Sequence, residues 1–415
     1  MALFPLFLTV AFIYLFVVRL LRYRIIERLE SAPGFKDNCF DSMTPLQAQR
    51  IFKLSFFYEC PTALTLGFVV ALVKVWAIPS MSFILTRSGK KDLTHILSRR
   101  FMDTGILLAT CIMTPLSGPG SGEEIEEGYS AEKEVDPRGA IALARINWLH
   151  RKYKIAQEDY QYTLSLLIIE PIDFTNRFGW RKLSPMEQQA MFVFWKEIGR
   201  RMNISTDIWG SVEELRTWKE AYERINMVYS KSCASMMQAG ISHFSKDFYG
   251  HKLFTEYYLG TLIGARARQA TGLSTPPWMA SYLIHGVLLV AALFTCHVSL
   301  PRSKPAPWVT TEDPRPDYMS TLAPGELPRM PAVFKKWEPW YYPQSTGLKR
   351  ILEESLVQIG LQPPSMIPST IWRCDGYRLE EIGPAYFQNI GHGEVMKNAE
   401  KLLGRPITGP WSRSP

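Results

Sequence analysis

Paired cysteine is missing from this sequence. Six cysteines among 415 residues stand at positions 39, 60, 111, 233, 296 and 374, none close to another. That excludes CxxC zinc or redox motifs and a compact disulfide framework, and it fits a reducing compartment. Acidic residues are also in deficit, 39 Asp and Glu against 47 Lys and Arg, for a formal charge of +8. Such a balance suits an anionic membrane surface or nucleic acid. The basic residues are dispersed, however, and do not form a stripe with interleaved aromatics, so nucleic acid is not the expected partner. Mean hydropathy is −0.06, too low for a polytopic membrane protein. Hydrophobic residues at 47% and charged residues at 21% exclude a disordered or collagen-like chain. Strand-type alternation and Asn-Gly hairpins are lacking as well, which leaves a mainly α fold.

One long apolar run is present at the start. Residues 2–18, ALFPLFLTVAFIYLFVV, continue past Arg19 into Leu20 and Leu21. About 20 residues at about 1.5 Å rise span a hydrocarbon core. A cleaved signal would carry a positive region before the run and a small-residue cleavage site after it. Instead Arg19, Arg22, Arg24 and Arg28 follow, and the positive-inside rule places the remaining chain in the cytosol after a single pass. Two further runs are weaker. Residues 61–73 stop at Lys74 and read as a core or interfacial helix, and residues 277–300 are long enough to span but carry His285 and His297. The latter are expected to form a buried or membrane-dipping helix.

The chain reads as a transmembrane anchor (1–23), a single large helical domain (24–300) and a Pro-rich segment with a C-terminal helical extension (301–415). Within the domain, residues 117–139 open with Gly, Pro and Ser and fill with acid; such composition cannot bury a face, so a mobile loop is expected. Ser184-Pro185-Met186-Glu187 and Ser211-Val212-Glu213-Glu214 are capping-box patterns. Behind the first, Ala190, Met191, Phe194, Trp195, Ile198 and Met202 mark a buried stripe. Behind the second stand Leu215, Trp218, Tyr222, Ile225 and Tyr229. Ten prolines fall in residues 301–345, an extended, wrapping segment.

Common cofactor signatures fail. Acid follows the glycines of 117–122 where a phosphate would need a helix N-terminus. The cysteine loop of thiolate-ligated cytochromes and the HExxH motif are missing, and His392-Gly393-Glu394 has no downstream histidine to complete a facial triad. Two constellations remain. Arg100, Asp103 and Thr104 stand at i, i+3 and i+4 on one helix face, either a surface ion pair with a back-bonding threonine or a polar cluster aimed into a pocket. In Arg145–Lys154, His150 shares a face with Ile146, Asn147, Tyr153 and Lys154. Such an imidazole is either hydrogen-bonded in the core or offered to a metal, haem iron included.

These residues carry a resemblance. Arg100-x-x-Asp103-Thr104, Arg145-x-x-x-x-His150, Tyr162-Thr163-Leu164, Phe178-Gly179-Trp180-Arg181, Phe194-Trp195-Lys196 with Gly199, and Gly383-Pro384-x-Tyr386-Phe387 up to Gly391-His392 resemble the ER-bound oxygenase MpaB and rubber oxygenase family. Together with Ile78-Pro79-Ser80 and the anchor, they resemble its fungal MpaB-like branch. The resemblance implies a mainly α fold, haem b, and oxidative attack by dioxygen, such as C=C cleavage, on a hydrophobic prenyl, terpenoid or polyketide intermediate of secondary metabolism at the endoplasmic reticulum membrane. By carry-over His150 is the proximal haem ligand and the iron-binding residue, and Arg100, Asp103 and Thr104 lie at the pocket, Asp103 where the rubber oxygenases can carry a lysine. Asn147 and Lys154 stand where those enzymes have arginines about the haem. Arg145, also a candidate, lies about 140° from the histidine at 3.6 residues per turn. The competing readings are a hydroxylase, dehydrogenase or cyclase of the same family and a non-enzymatic membrane scaffold.

Overall fold

The computed structural model describes residues 3–31, 40, 42–87, 93–118, 135–248, 250–310, 312–314, 322, 326–333, 338–362 and 364–413. The acidic segment read as a loop falls mostly on residues 119–134, outside the described residues. Among the described residues the structure is helical and contains no strand, only an isolated antiparallel bridge between Met330 and Tyr377. The helices are α1 (Leu3–Arg22), α2 (Arg24–Glu30), α3 (Pro45–Leu54), α4 (Pro61–Val75), α5 (Pro79–Arg87), α6 (Leu93–Met113), α7 (Arg138–His150), α8 (Gln157–Phe178), α9 (Pro185–Arg201), α10 (Val212–Asn226), α11 (Lys231–Phe244), α12 (Lys252–Leu262), α13 (Ala265–Thr271), α14 (Trp278–His297), α15 (Gly347–Gln358) and α16 (His392–Leu403).

They group into two compact units. The first contains residues 1–90 and 155–306, the second 91–154 and 307–415. The C-terminal part of the second unit begins at residue 307, and the unit also contains α6 and α7. Those two helices pack on each other, and α7 packs on the C-terminal segment as well.

In the first unit α4 packs on α8 and α3 on α9. A side chain at Gly67 would put its Cβ 2.4 Å from the Pro171 backbone, so glycine allows α4 and α8 their close approach. Ser184 caps α9 with the reciprocal bonds to Glu187, and Ala190, Met191, Phe194, Trp195 and Ile198 behind it are buried. The α10 stripe departs from the apolar spacing. Leu215 and Tyr222 are buried, but Ile225 is 75% exposed while Lys219 and Glu223 are interior. The reason is ionic. Lys74 Nζ and Lys219 Nζ lie 2.6 and 2.8 Å from Glu170 Oε1, and 3.2 and 3.5 Å from Glu223 Oε1. Each buried charge therefore has partners of opposite sign, without which burial would be prohibitive. Against the burial that would raise it, the two lysines hold the Glu170 carboxyl down at about 2.

The apolar helix α1 exposes Phe4, Phe7 and Phe12, as a membrane anchor does. Its end is fixed to the unit: Val18 and Arg22 are buried and the Arg22 guanidinium lies 4.5 Å over the Trp180 ring.

Candidate functional site

All seven residues singled out as site candidates, Arg100, Asp103, Thr104, Arg145, Asn147, His150 and Lys154, belong to the second unit. There α6 packs against α7. Gly139 permits the approach, since a Cβ there would sit 2.2 Å from the Pro115 carbonyl oxygen. On its other side α7 packs against α16, where Gly391 at φ +80 leaves room for the Trp148 indole.

Asp103 is buried, and Arg99, one helical turn back, forms an ion pair with it at 3.6 Å. Tyr341 Oη donates to Asp103 Oδ1 at 2.7 Å. Burial outweighs both partners and raises the carboxyl to about 6. Tyr341 takes φ +62 and is fully buried, a backbone conformation that costs a non-glycine residue energy and here accompanies the delivery of a phenol to a buried carboxylate. Around this pair Arg99 stacks over Trp340 at 5.3 Å and donates to Gln388 at 3.0 Å. Ser98 donates to Glu338 and accepts from Trp340 Nε1. The cluster is interior, so the surface-ion-pair reading does not hold for Asp103.

Arg100 and Thr104 are half-buried on the same helix. Burial lowers the Arg100 guanidinium from its ordinary value, and Tyr153, Tyr386 and Asp103 act on it in the opposite direction. The two tyrosine hydroxyls meet at 2.7 Å, and burial followed by that bond raises Tyr153. One guanidinium is thus set against a hydrogen-bonded pair of tyrosine hydroxyls.

Arg145 has no exposed surface. Its Nε, Nη1 and Nη2 donate to the carbonyls of Ile382, Ile390 and Phe387 at 2.8, 3.1 and 2.8 Å. Its plane lies 4.7 Å over Trp148, whose Nε1 donates to Glu394 at 2.8 Å. Arg145 is therefore a clamp that binds α7 to the 382–390 segment. Burial lowers it to about 10, a value at which it stays charged at neutral pH. The His392-Gly393-Glu394 motif is absorbed here too: His392 Nε2 bonds the Gln388 carbonyl oxygen and Glu394 serves Trp148.

His150 is the last residue of α7. The helix stops there, so Tyr153 and Lys154 do not continue its face as the spacing suggested. Lys154 is exposed beyond a turn, and Asn147 is half-buried within the helix. The His150 ring keeps some surface, but its Nδ1 has no contact with solvent. Burial pushes the imidazole down to about 4, against the rise that a helix C-terminus would give. It is neutral at pH 7, the form that ligates metals. Among the described residues no group of three or more His, Cys, Asp and Glu side chains could hold a metal ion. A metal held here would rest on one imidazole, which is what haem iron takes from a protein. The donor chemistry fits the group that the resemblance implies.

The sequence missed Tyr341 and the Arg99 pairing of Asp103. The aromatic run Trp340-Tyr341-Tyr342 inside the Pro-rich segment was the available signal.

No family model matches the chain. It is 25% identical to the ER-bound oxygenase mpaB' of Penicillium brevicompactum, across 94% of this chain and 90% of that protein. It is 29% identical to the ER-bound oxygenase mpaB of Penicillium roqueforti (strain FM164), across 52% of this chain and 72% of that protein. To the ER-bound oxygenase mpaB of Penicillium brevicompactum it is 28% identical, across 54% and 57%. The resemblance read from the motifs is borne out by these relatives, with similarity along nearly the whole chain, and they support an oxidoreductase.

Proposed function

We propose that this chain is a membrane-anchored, haem b-dependent oxygenase that uses dioxygen to oxidise a hydrophobic prenyl, terpenoid or polyketide intermediate of secondary metabolism at the endoplasmic reticulum membrane. The observation that carries the reading is the neutral imidazole of His150 at the end of α7, in a chain similar over 94% of its length to a protein named an oxygenase. Haem bound through His150 would supply the iron that activates dioxygen. Asn147 and Lys154, half-buried and exposed, would serve its edge.

The remaining chemistry belongs to the chain. Asp103, raised to about 6, can hold or release a proton near neutral pH at Oδ2, the oxygen that faces Arg99 at 3.6 Å, while Oδ1 is occupied by Tyr341. Arg100 beside the Tyr153–Tyr386 pair can steady developing negative charge. Arg145 positions the 382–390 segment that carries Tyr386.

The test is the absorption spectrum of the purified full chain, oxidised and dithionite-reduced. A Soret band is expected in the wild type, in His285→Ala and in Arg100→Ala, and is expected to be lost in His150→Ala. Arg100→Ala should in addition lower turnover at least tenfold, about 1.4 kcal/mol of barrier. An His150→Ala protein with full haem and an unchanged spectrum refutes the ligand assignment. Wild-type protein with no cofactor band at all favours the scaffold reading.

A further inference from the structure

The helix α14 has the length and composition of a membrane span, yet the chain path forbids it to cross. Residues 93–118 and 135–154, which precede it, and the segment after residue 307 build one compact unit. Arg145 reaches the carbonyls of Ile382, Phe387 and Ile390, and Tyr341 reaches Asp103. These partners must be on the same side of any bilayer. Between residues 154 and 307, α14 is the one candidate span among the described residues. A single crossing there would place Arg145 and its carbonyls on opposite sides. The bent pair α3–α4 does not alter the parity, since it precedes both segments, and its residues Phe52, Leu64 and Val73 are interior.

Yet α14 is not a core helix. Of its twenty residues only Ile284 is buried, and Trp278, Tyr282, Leu283, Val287, Val290 and Phe294 are each 58–72% exposed. Its inner edge lies along the first unit. Leu288 packs against the cluster of Ala63, Val70, Phe174 and Phe178, and the His285 ring bonds Arg177 at 3.3 Å. Eight residues past Val298, the Ala306 amide donates to the Phe57 carbonyl at 2.8 Å, so the chain returns to the same body.

We infer that α14 lies in the plane of the membrane, half-sunk in the leaflet next to its own unit, as a second and non-crossing lipid attachment. The occupant of its outer face is lipid because that face continues the anchor: Tyr14 Oη on α1 donates to the Val298 carbonyl at the end of α14, at 2.7 Å. The adjoining α12 adds exposed Leu253 and Phe254. Exposed Arg302 and Lys304 follow α14, placed to meet phosphate headgroups while the apolar face sits about 5–10 Å deep.

The experiment uses the full chain in sealed microsomes and in vesicles. Epitopes are placed between residues 125 and 130 and after Pro415. A bimane label is placed by Val290→Cys, with Cys39, Cys296 and Cys374 changed to serine; Cys60, Cys111 and Cys233 are buried. Added protease is expected to remove both epitopes together. Lipids brominated near the headgroup are expected to quench the label roughly twofold more than lipids brominated at mid-chain. Protection of one epitope alone would mean that α14 crosses. Absence of quenching by either lipid would mean that water, a second copy or another protein covers the face. Stronger mid-chain quenching would mean a deep insertion. Each of these three results overturns the inference.

Discussion

Two buried groups in the second unit titrate in the same pH window with opposite consequences for stability. Asp103 is raised from 3.8 to about 6, so the folded state holds its proton more tightly than the unfolded chain. As pH climbs from about 4 to 6 the group withdraws roughly 3 kcal/mol of stability. His150 is lowered from 6.5 to about 4, and the unfolded chain binds its proton first. As pH falls from about 6.5 to 4 it withdraws roughly 3 kcal/mol. In the wild type the two slopes oppose each other. Asp103→Asn keeps the shape and the Tyr341 contact while removing the charge, so its stability should rise with pH between 4 and 6.5. His150→Phe removes the opposing term, and its stability should fall over the same interval. The assay is denaturant unfolding of the detergent-solubilised full chain, freed of haem, at five or so pH values, followed by far-UV circular dichroism. Single variants whose pH dependence parallels the wild type would show that neither group is perturbed as described, and the account of both burials would fail.

The Arg145 clamp predicts that Arg145→Lys destabilises by about 3 kcal/mol, because one ammonium cannot serve three carbonyls, and hydrogen exchange should rise in a peptide covering 379–391. Gly391→Ala is expected to cost about 1–3 kcal/mol or more, since it combines φ +80 with a Cβ 2.2 Å from the Trp148 ring; Gly393→Ala, with open space around it, should be neutral or slightly stabilising by thermal melting. In the first unit Lys74→Met leaves Glu170 half-compensated and is expected to lose about 3–5 kcal/mol. The contribution of Glu170, held near 2, is present above its ordinary pKa and should fade as pH falls from about 4.5 toward 2, visible as a lowered melting temperature.

Much of the helical order was legible because it rests on local rules. The Ser184 cap, the buried face of α9 and the end of α16 at Gly404 follow from residues within a few positions of one another. The α10 stripe was misread because hydrophobic spacing assigns Lys219 and Glu223 to solvent, and their partners Lys74 and Glu170 lie far off in sequence. The candidate residues were found by resemblance, but their neighbours were not. Arg99 and Arg100 are adjacent in sequence, and Tyr341, which bonds Asp103 from 238 residues away, is beyond the reach of local spacing rules.

That separation bears on how the protein is made. Arg145 and the Phe387 carbonyl it holds are 242 residues apart. At about 5–20 residues per second a ribosome needs roughly 12–50 s to deliver the second after the first. Throughout that interval Arg145 lacks the carbonyls it clamps and Asp103 lacks the Tyr341 hydroxyl, while α1 has already emerged and can enter the bilayer. The second unit is therefore completed late in synthesis, its assembly is the step most exposed to chaperone capture, and a truncation that removes α16 leaves the His150 region without the surface that α7 packs against.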